Sequence, residues 1–560
     1  MKKILLTISV IIATGSANAQ TDFITKWTDA SLITSLTFDL ETSPAGVNYS
    51  WIASPSGNTG GGTLTQTSFG PNTISINSQL GDTVTIAMAP TNLKRYGSYS
   101  PSPDNSKLID VVQWGSANWT SMAYAFYGCV NLTITATDVP NLAAVTNLSW
   151  MFAYCEKLNG PININSWNTG NVTNMRAVFH SATLFNQPIG TWNTVNVIDM
   201  SYMFSIATSF NQPIGTWNTI NVIDMRMMFE FAKTFNQPIG TWNTTNVNGM
   251  SYMFNSANVF NQNISPWNTA NVTTMRGMFQ SATSFNQPIG SWNTANVKYI
   301  DGMFANTILF NQPIGTWNTA NVTSMNYAFN YATSFNQPIG SWNTANVKYI
   351  DGLFANATSF NQPIGNWNTA NITSMNYAFD HATSFNQNIG TWDISKVIIV
   401  TYVPNQTNMS SMLDSCGLDC ENYSATLNGW NTNTSIPIGS ILGAAGLEYG
   451  ASAATAHANL TGVKSWIILG DIASNNECNS KTGLTTKNNI ALILYPNPAT
   501  NSLIITAEAT LGTIKIASVL GVVVMQLTTT KNETNIDVSQ LPSGIYFINC
   551  NGTSEKFVKE

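Results

Sequence analysis

Residues 310–334 read FNQPIGTWNTANVTSMNYAFNYATS, and the fold turns on how this stretch is understood. Its tryptophan, Trp317, returns as Trp167, Trp192, Trp217, Trp242, Trp267, Trp292, Trp342, Trp367 and Trp392, always 25 residues apart. A fixed period of roughly 20–50 residues marks an array in which each unit buries its apolar face only against its neighbours. Val322, Met325, Ala328, Phe329 and Ala332 fall at spacings of three, four and seven. That spacing predicts a short helix, with Thr323 as its N-cap. Phe310, Ile314 and Trp317 form a second apolar set that suits a short strand. Pro313 cannot donate to a ladder, so the paired strand is expected after it, at Ile314–Trp317. The predicted architecture is a repeat solenoid with a short strand plus a short helix per 25-residue rung.

Other columns follow the same period. Asn186, Asn211, Asn236 and their successors to Asn386 occupy one position, and Asn196 to Asn371 another. Stacked amides can bond each other and the bare loop backbone of neighbouring rungs. The tryptophans recur in phase with the core Phe and Ile, so burial is preferred over a sugar-stacking role. A threonine column, Thr169 to Thr369, is read as loop solvation rather than as a water-ordering surface. A longer period lies above the short one: residues 285–334 and 335–384 are nearly identical, and Arg176, Arg226 and Arg276 are 50 apart, as are Lys298 and Lys348. Residues that change from rung to rung, these five cations among them, form the candidate interaction face.

Chemistry is sparse. Asp199 and Asp224 hold one position in adjacent rungs, ~5 Å apart if stacked. Such a pair, with Asn174 and Asn248 beside it, forms a weak Ca²⁺ candidate. Hydrated, exposed carboxylates are the preferred alternative, and calorimetric titration with Ca²⁺ separates the two. No nucleophile–base pair, phosphate-cradling loop or zinc spacing occurs, so neither an enzyme nor a cofactor is expected. Of the six cysteines, Cys129, Cys155 and Cys416 stand where other rungs carry alanine. Rung spacing permits a Cys129–Cys155 disulfide, but two buried thiols are the preferred reading.

The ends specify export. Lys2-Lys3, the apolar run Ile4–Ala13 and Ala17-Asn18-Ala19 read as a signal peptide, residues 1–19, cut between Ala19 and Gln20. The run is too short to span a membrane, for which ~20 apolar residues are needed, and no later stretch of that kind occurs. Charged residues make up 9% of the 560, against roughly 25% in typical soluble domains, and the net charge is −6. Without a basic cluster, nucleic acid is not an expected partner. Residues 20–110 carry alternating runs and turn clusters that predict a β-rich N-terminal module or cap. The array spans 111–416, a C-terminal cap 417–471 and a polar linker 472–489. Short strands over 490–560 predict a small β-sandwich.

Two resemblances cover most of the chain. Val-x-x-Met-x-x-Met-Phe-x-x-Ala followed by Phe-Asn-Gln-Pro-Ile-x-x-Trp resembles the repeat of BspA-like leucine-rich-repeat surface proteins, with aromatics, Met and Ile in place of Leu. The resemblance implies a leucine-rich-repeat-like solenoid on a bacterial surface that serves adhesion or protein binding. Tyr495-Pro496-Asn497-Pro498, Gly521, Leu541, Gly544 and Tyr546 resemble the type A sorting domain of type IX secretion. That implies passage across the outer membrane of a Gram-negative bacterium, with the secretion machinery as a partner. The expected function is that of a secreted, cell-surface adhesin or protein-interaction scaffold. The alternative is a polysaccharide-binding or structural envelope protein.

Overall fold

The structure, a computed structural model, describes residues 21–97, 104–397, 409–474, 478, 492–507, 510–518, 523–550 and 553–560. The signal-cleavage pair Ala19–Gln20, Gly521 and most of the linker lie outside them. The chain divides into two compact units, residues 1–477 and 478–560. Each has its own hydrophobic core.

The first unit opens on nine strands: β1 (Phe23–Thr28), β2 (Ser35–Thr42), β3 (Val47–Ser54), β4 (Thr59–Leu64), β5 (Gly70–Ser75), β6 (Thr83–Met88), β7 (Leu93–Gly97), β8 (Leu108–Gln113) and β9 (Thr133–Ile134). They form a sheet ordered β4-β3-β6-β1-β8-β9 and a second ordered β5-β2-β7. Period-two alternation explains the inner face: Phe23, Thr25 and Trp27 of β1 are buried, and Phe23 meets Tyr96 and Trp119 edge-on at 5.1 Å. β8 pairs in parallel with β9, Val111 opposite Ile134. Because β8 runs across residue 110, the module and the array share one strand.

In the repeats the apolar spacing marks the buried residues, but the expected helix is absent. Among the described residues the α-helices are α1 (Cys420–Thr432) and α2 (Ala451–Gly462), both beyond the repeats. The expected leucine-rich-repeat-like solenoid, with a short strand plus a short helix per rung, is therefore overturned. An α-helix needs each N–H to reach the carbonyl four residues back. Here the N–H groups of Met325, Tyr327, Phe329 and Tyr331 donate to Tyr349, Asp351, Leu353 and Ala355 of the next repeat, at 2.7–3.0 Å. Those of Ala328, Asn330 and Ala332 close turns onto residues three back. Tyr327 and Tyr331 have φ of 56° and 55°, which no right-handed helix accommodates. A row of four-residue turns buries every third or fourth residue just as a helix does, which is why the spacing misled. The strand expected at Ile314–Trp317 also moves: the parallel bridges run through Tyr299, Ser324 and Tyr349.

Side chains make the remaining cross-links. Each tryptophan Nε1 from Trp192 to Trp392 donates to an isoleucine carbonyl 28 residues back, as Trp317 does to Ile289 at 3.1 Å. The rings form columns: Trp317 stacks on Trp342 at 6.2 Å, Phe304 on Phe329 at 5.5 Å and Phe310 on Phe335 at 6.1 Å. Asn286 Oδ1 accepts the Asn311 N–H and the Gln312 amide, both at 3.0 Å. Asn321 Nδ2 donates to the Ala295 carbonyl at 2.7 Å. The threonine column does not solvate a loop. Thr319 is buried, and its hydroxyl donates to the Asn343 carbonyl at 3.0 Å. Cys155 keeps a buried thiol that donates to the Phe126 carbonyl.

The first unit ends on α1, α2 and the strands β10 (Ile441–Gly443), β11 (Glu448–Tyr449), β12 (Ile467–Leu469) and β13 (Ile472–Ala473). β10 pairs in parallel with β12, and β11 with β13. Asp419 caps α1 by accepting the Asn422 N–H at 2.8 Å.

The second unit contains β14 (Ile493–Tyr495), β15 (Ser502–Thr506), β16 (Gly512–Ser518), β17 (Val523–Thr529), β18 (Glu533–Asp537), β19 (Gly544–Cys550) and β20 (Thr553–Lys559). Its sheets, β14-β15-β18 and β17-β16-β19-β20, share a core that includes Leu503, Ile505, Ile514, Ile516, Ile548 and Phe557.

Candidate functional site

Each repeat places two residues in the left-handed region, four apart. The first position holds Tyr202, Met227, Tyr252, Gly277, Gly302, Tyr327, Gly352 and Tyr377 in successive repeats, all with φ between 55° and 60°. The second holds Ile206, Phe231, Ser256, Ser281, Asn306, Tyr331, Asn356 and His381. A left-handed conformation costs an L-residue roughly 1–2 kcal/mol and glycine almost nothing. Glycine or asparagine would therefore serve the fold best at both positions. Tyrosine, methionine, isoleucine or phenylalanine stands at many of them, and several are solvent-facing: Tyr327 is 45% exposed, Tyr331 47%, Tyr377 40% and Phe231 39%.

Tyrosine and glycine at the first position pack as partners. A Cβ added to Gly277 would lie 2.3 Å from the Tyr252 ring, and one added to Gly352 would lie 2.3 Å from the Tyr327 ring. In each case the ring edge takes the space that a Cβ on the glycine of the next repeat would need. Tyr299 and Tyr349, on the bridge positions, extend the exposed aromatic surface. At the N-terminal end Tyr124 stacks parallel to Trp150 at 6.3 Å, and Tyr127 meets Tyr154 edge-on at 5.3 Å.

The predicted cations fall beside this column to different degrees. The Arg176 guanidinium lies over Tyr202 at 4.9 Å, and that of Arg276 over Tyr299 at 5.4 Å while reaching Asp301 at 3.4 Å. Arg226 turns onto Asp224, with Nη2 2.5 Å from Oδ2. Lys298 and Lys348 are exposed immediately before Tyr299 and Tyr349. Asp199 and Asp224 are bridge partners in adjacent repeats, as the stacking implied. Each carboxylate is already engaged: Asp199 Oδ1 accepts the Ser201 N–H and hydroxyl, and Asp224 takes the Arg226 N–H and guanidinium. No group of three His, Cys, Asp or Glu arranged for a metal occurs among the described residues. The tyrosines themselves escaped sequence reasoning. Their available signal was a position alternating between tyrosine and glycine, a pairing that implies an exposed site with φ above zero.

His180 sits among these aromatics, with Nε2 3.2 Å from the Tyr154 hydroxyl and its ring edge-on to Trp150 and Tyr202. Burial lowers its pKa to about 4. The unfolded chain, with an ordinary histidine, therefore binds the extra proton first as pH falls. Stability from this group is full above pH ~6.5, declines between there and about 4, and is level below. Melting temperatures at pH 7.5 and 4.5 are expected to differ less for His180→Gln than for the wild type; equal differences would refute this account.

In the C-terminal cap, Tyr423 donates to Asp471 Oδ2 at 2.8 Å, and His457 Nε2 lies 3.2 Å from the same oxygen. Burial and the Asp471 carboxylate hold the Tyr423 phenol well above its ordinary pKa. This cluster ties α1 to the last turn of the cap.

In the second unit the sorting-motif residues are structural. The Asn497 side chain accepts the Val558 N–H and donates to the Lys556 carbonyl. The Leu541 N–H bonds the Val538 carbonyl, Gly544 begins β19, and the Tyr546 hydroxyl donates to the Pro542 carbonyl at 2.9 Å. Tyr495 is exposed, followed by Pro496 and Pro498.

Comparison with known proteins finds two families. Residues 120–239, 224–329 and 303–407 each match the family described as "Mycoplasma protein of unknown function, DUF285", together just over half of the chain. Residues 493–560 match the secretion system C-terminal sorting domain, which supports type IX secretion and a secreted or cell-surface location. No curated protein and no solved structure matches. Among the described residues no helix is long and apolar enough to cross a membrane. The chain thus belongs to the DUF285 family and ends in a sorting domain of type IX secretion.

Proposed function

We propose that this protein is a surface adhesin whose repeats hold an extracellular macromolecule along the tyrosine–arginine column, in a binding rather than a catalytic role. The observation that carries the reading is the accepted strain. Bulky aromatic side chains occupy left-handed positions where glycine would stabilise the fold better, and local rules are broken in this way mainly at functional sites. Tyrosine and arginine are also the residue types that dominate binding hot spots, since they offer large rigid contact area with a polar tip. Export by the type IX route places such a face outside the cell.

The test compares bacteria displaying the wild type with bacteria displaying a variant in which Tyr299, Tyr327, Tyr331, Tyr349 and Tyr377 are all replaced by asparagine, which tolerates the left-handed region. Attachment to surfaces the bacterium colonises is expected to fall by about tenfold or more at equal display, given the weight of aromatic anchors. Undiminished attachment would end the proposal.

A further inference from the structure

We infer that the ligand of this column is a neutral polysaccharide chain, with Tyr327 and Tyr377 as successive stacking platforms and Asp351 and Asn376 bonding hydroxyl groups between them. The inference rests on the column being the binding face. Tyr327, Asp351, Asn376, Tyr377 and Ser410 line a cleft of 310 Å³. Asp351 Oδ1 is held by the Ser374 hydroxyl at 2.5 Å, the Asn376 N–H at 2.9 Å and the Asn376 amide at 3.1 Å. Its Oδ2 takes no hydrogen bond from the described residues, which leaves an oriented acceptor beside two rings.

A sugar ring offers an apolar C–H face and a rim of hydroxyls. Exposed phenol rings match the first, and two fixed acceptors match the second: the Asp351 carboxylate and the Asn376 Oδ1, whose amide nitrogen already donates to Asp351 and to the Ser374 hydroxyl. Among the described residues the cleft lining has one carboxylate and no cation, so an anionic chain is disfavoured. The two tyrosines are two repeats apart, roughly 10 Å at the usual strand spacing, about the length of two sugar rings. The Asp-Gly and Asn-Tyr elements recur as Asp301-Gly302 with Asn326-Tyr327 and as Asp351-Gly352 with Asn376-Tyr377. A ligand whose own chemistry repeats along its length can use such a track, whereas a folded protein surface has no matching translation. The earlier copy is incomplete: Gly277 replaces the first tyrosine and Arg276 occupies Asp301, so the full cleft lies between Tyr327 and Tyr377.

The full chain is run in native gels containing a xylan, a mannan, a β-1,3-glucan or an anionic polygalacturonan. At least one neutral polymer is expected to retard it more than the anionic one does. The Tyr327→Gly/Tyr377→Gly double variant is expected to lose about tenfold or more of that affinity, as for lost aromatic contacts. Its melting temperature should not fall, because glycine relieves the left-handed strain. Retardation by no neutral polymer, or equal retardation of the double variant, overturns the inference. If the double variant nonetheless loses cell attachment, the binding face stands with a protein as its ligand. If attachment is also unchanged, the column is not the binding face.

Discussion

Trp317→Ala is expected to lower stability by about 3–5 kcal/mol, the range for removing a fully buried large aromatic. The ring stacks on Trp342 of the next repeat, packs near Phe304 at 6.2 Å, and donates from Nε1 to the Ile289 carbonyl of the preceding repeat. Truncation therefore leaves a cavity and removes one of the two hydrogen bonds that the Ile289 carbonyl accepts, the other coming from the Trp292 N–H. Because each repeat contacts only its neighbours, the loss concentrates at one junction and should split urea unfolding into two steps. Trp317→Phe, which keeps most of the volume but not the N–H, should fall between the two. Circular dichroism against urea reads both, and an alanine variant within about 1 kcal/mol of wild type would contradict the packing described.

Gly315→Ala is expected to be the next most damaging change, at about 1–3 kcal/mol, as for over-packing a close contact. The glycine of FNQPIG is not at a left-handed position. It is needed because the next repeat approaches too closely: a Cβ on Gly315 would lie 2.4 Å from the Pro338 carbonyl oxygen. Gly290 and Gly340 meet Pro313 and Pro363 in the same way, at 2.3 and 2.5 Å. The obstacle is backbone, so no side chain can swing aside, and the repeats must part. Gly462→Ala is the control, since nothing lies within 4 Å and the residue ends α2. There alanine should be neutral or stabilising by up to about 1 kcal/mol. Thermal melts of the two variants that coincide would refute the close approach.

Much of the array was legible from the chain. Val322, Met325, Ala328, Phe329 and Ala332 were identified as inward-facing, and all five are buried. The tryptophans were read as core, and the amide columns as links between repeats, and both are found so. The helix assigned to the same residues was wrong. Apolar spacing reports which side chains share a face, and a helix and a row of tight turns give one answer to that question. The tyrosine face was missed for a related reason. Local preference assigns left-handed positions to glycine and asparagine, so Tyr327 and Tyr377 taken singly carry no mark of their conformation, and only their alternation with Gly302 and Gly352 along the repeats does.

The amino-acid order by itself determined the 25-residue period, the residues that fill the core and the C-terminal sorting domain, because periodicity and motif are properties of neighbours along the chain. Only the tertiary structure decided where the backbone hydrogen bonds go. The N–H of Tyr327 has its partner 24 residues away, on Asp351, at 2.7 Å. That bond depends on the next repeat being present, and so does the left-handed turn that directs the tyrosine ring outward. A local pattern cannot encode a partner it does not contain, which is why the core was readable and the tyrosine face was not.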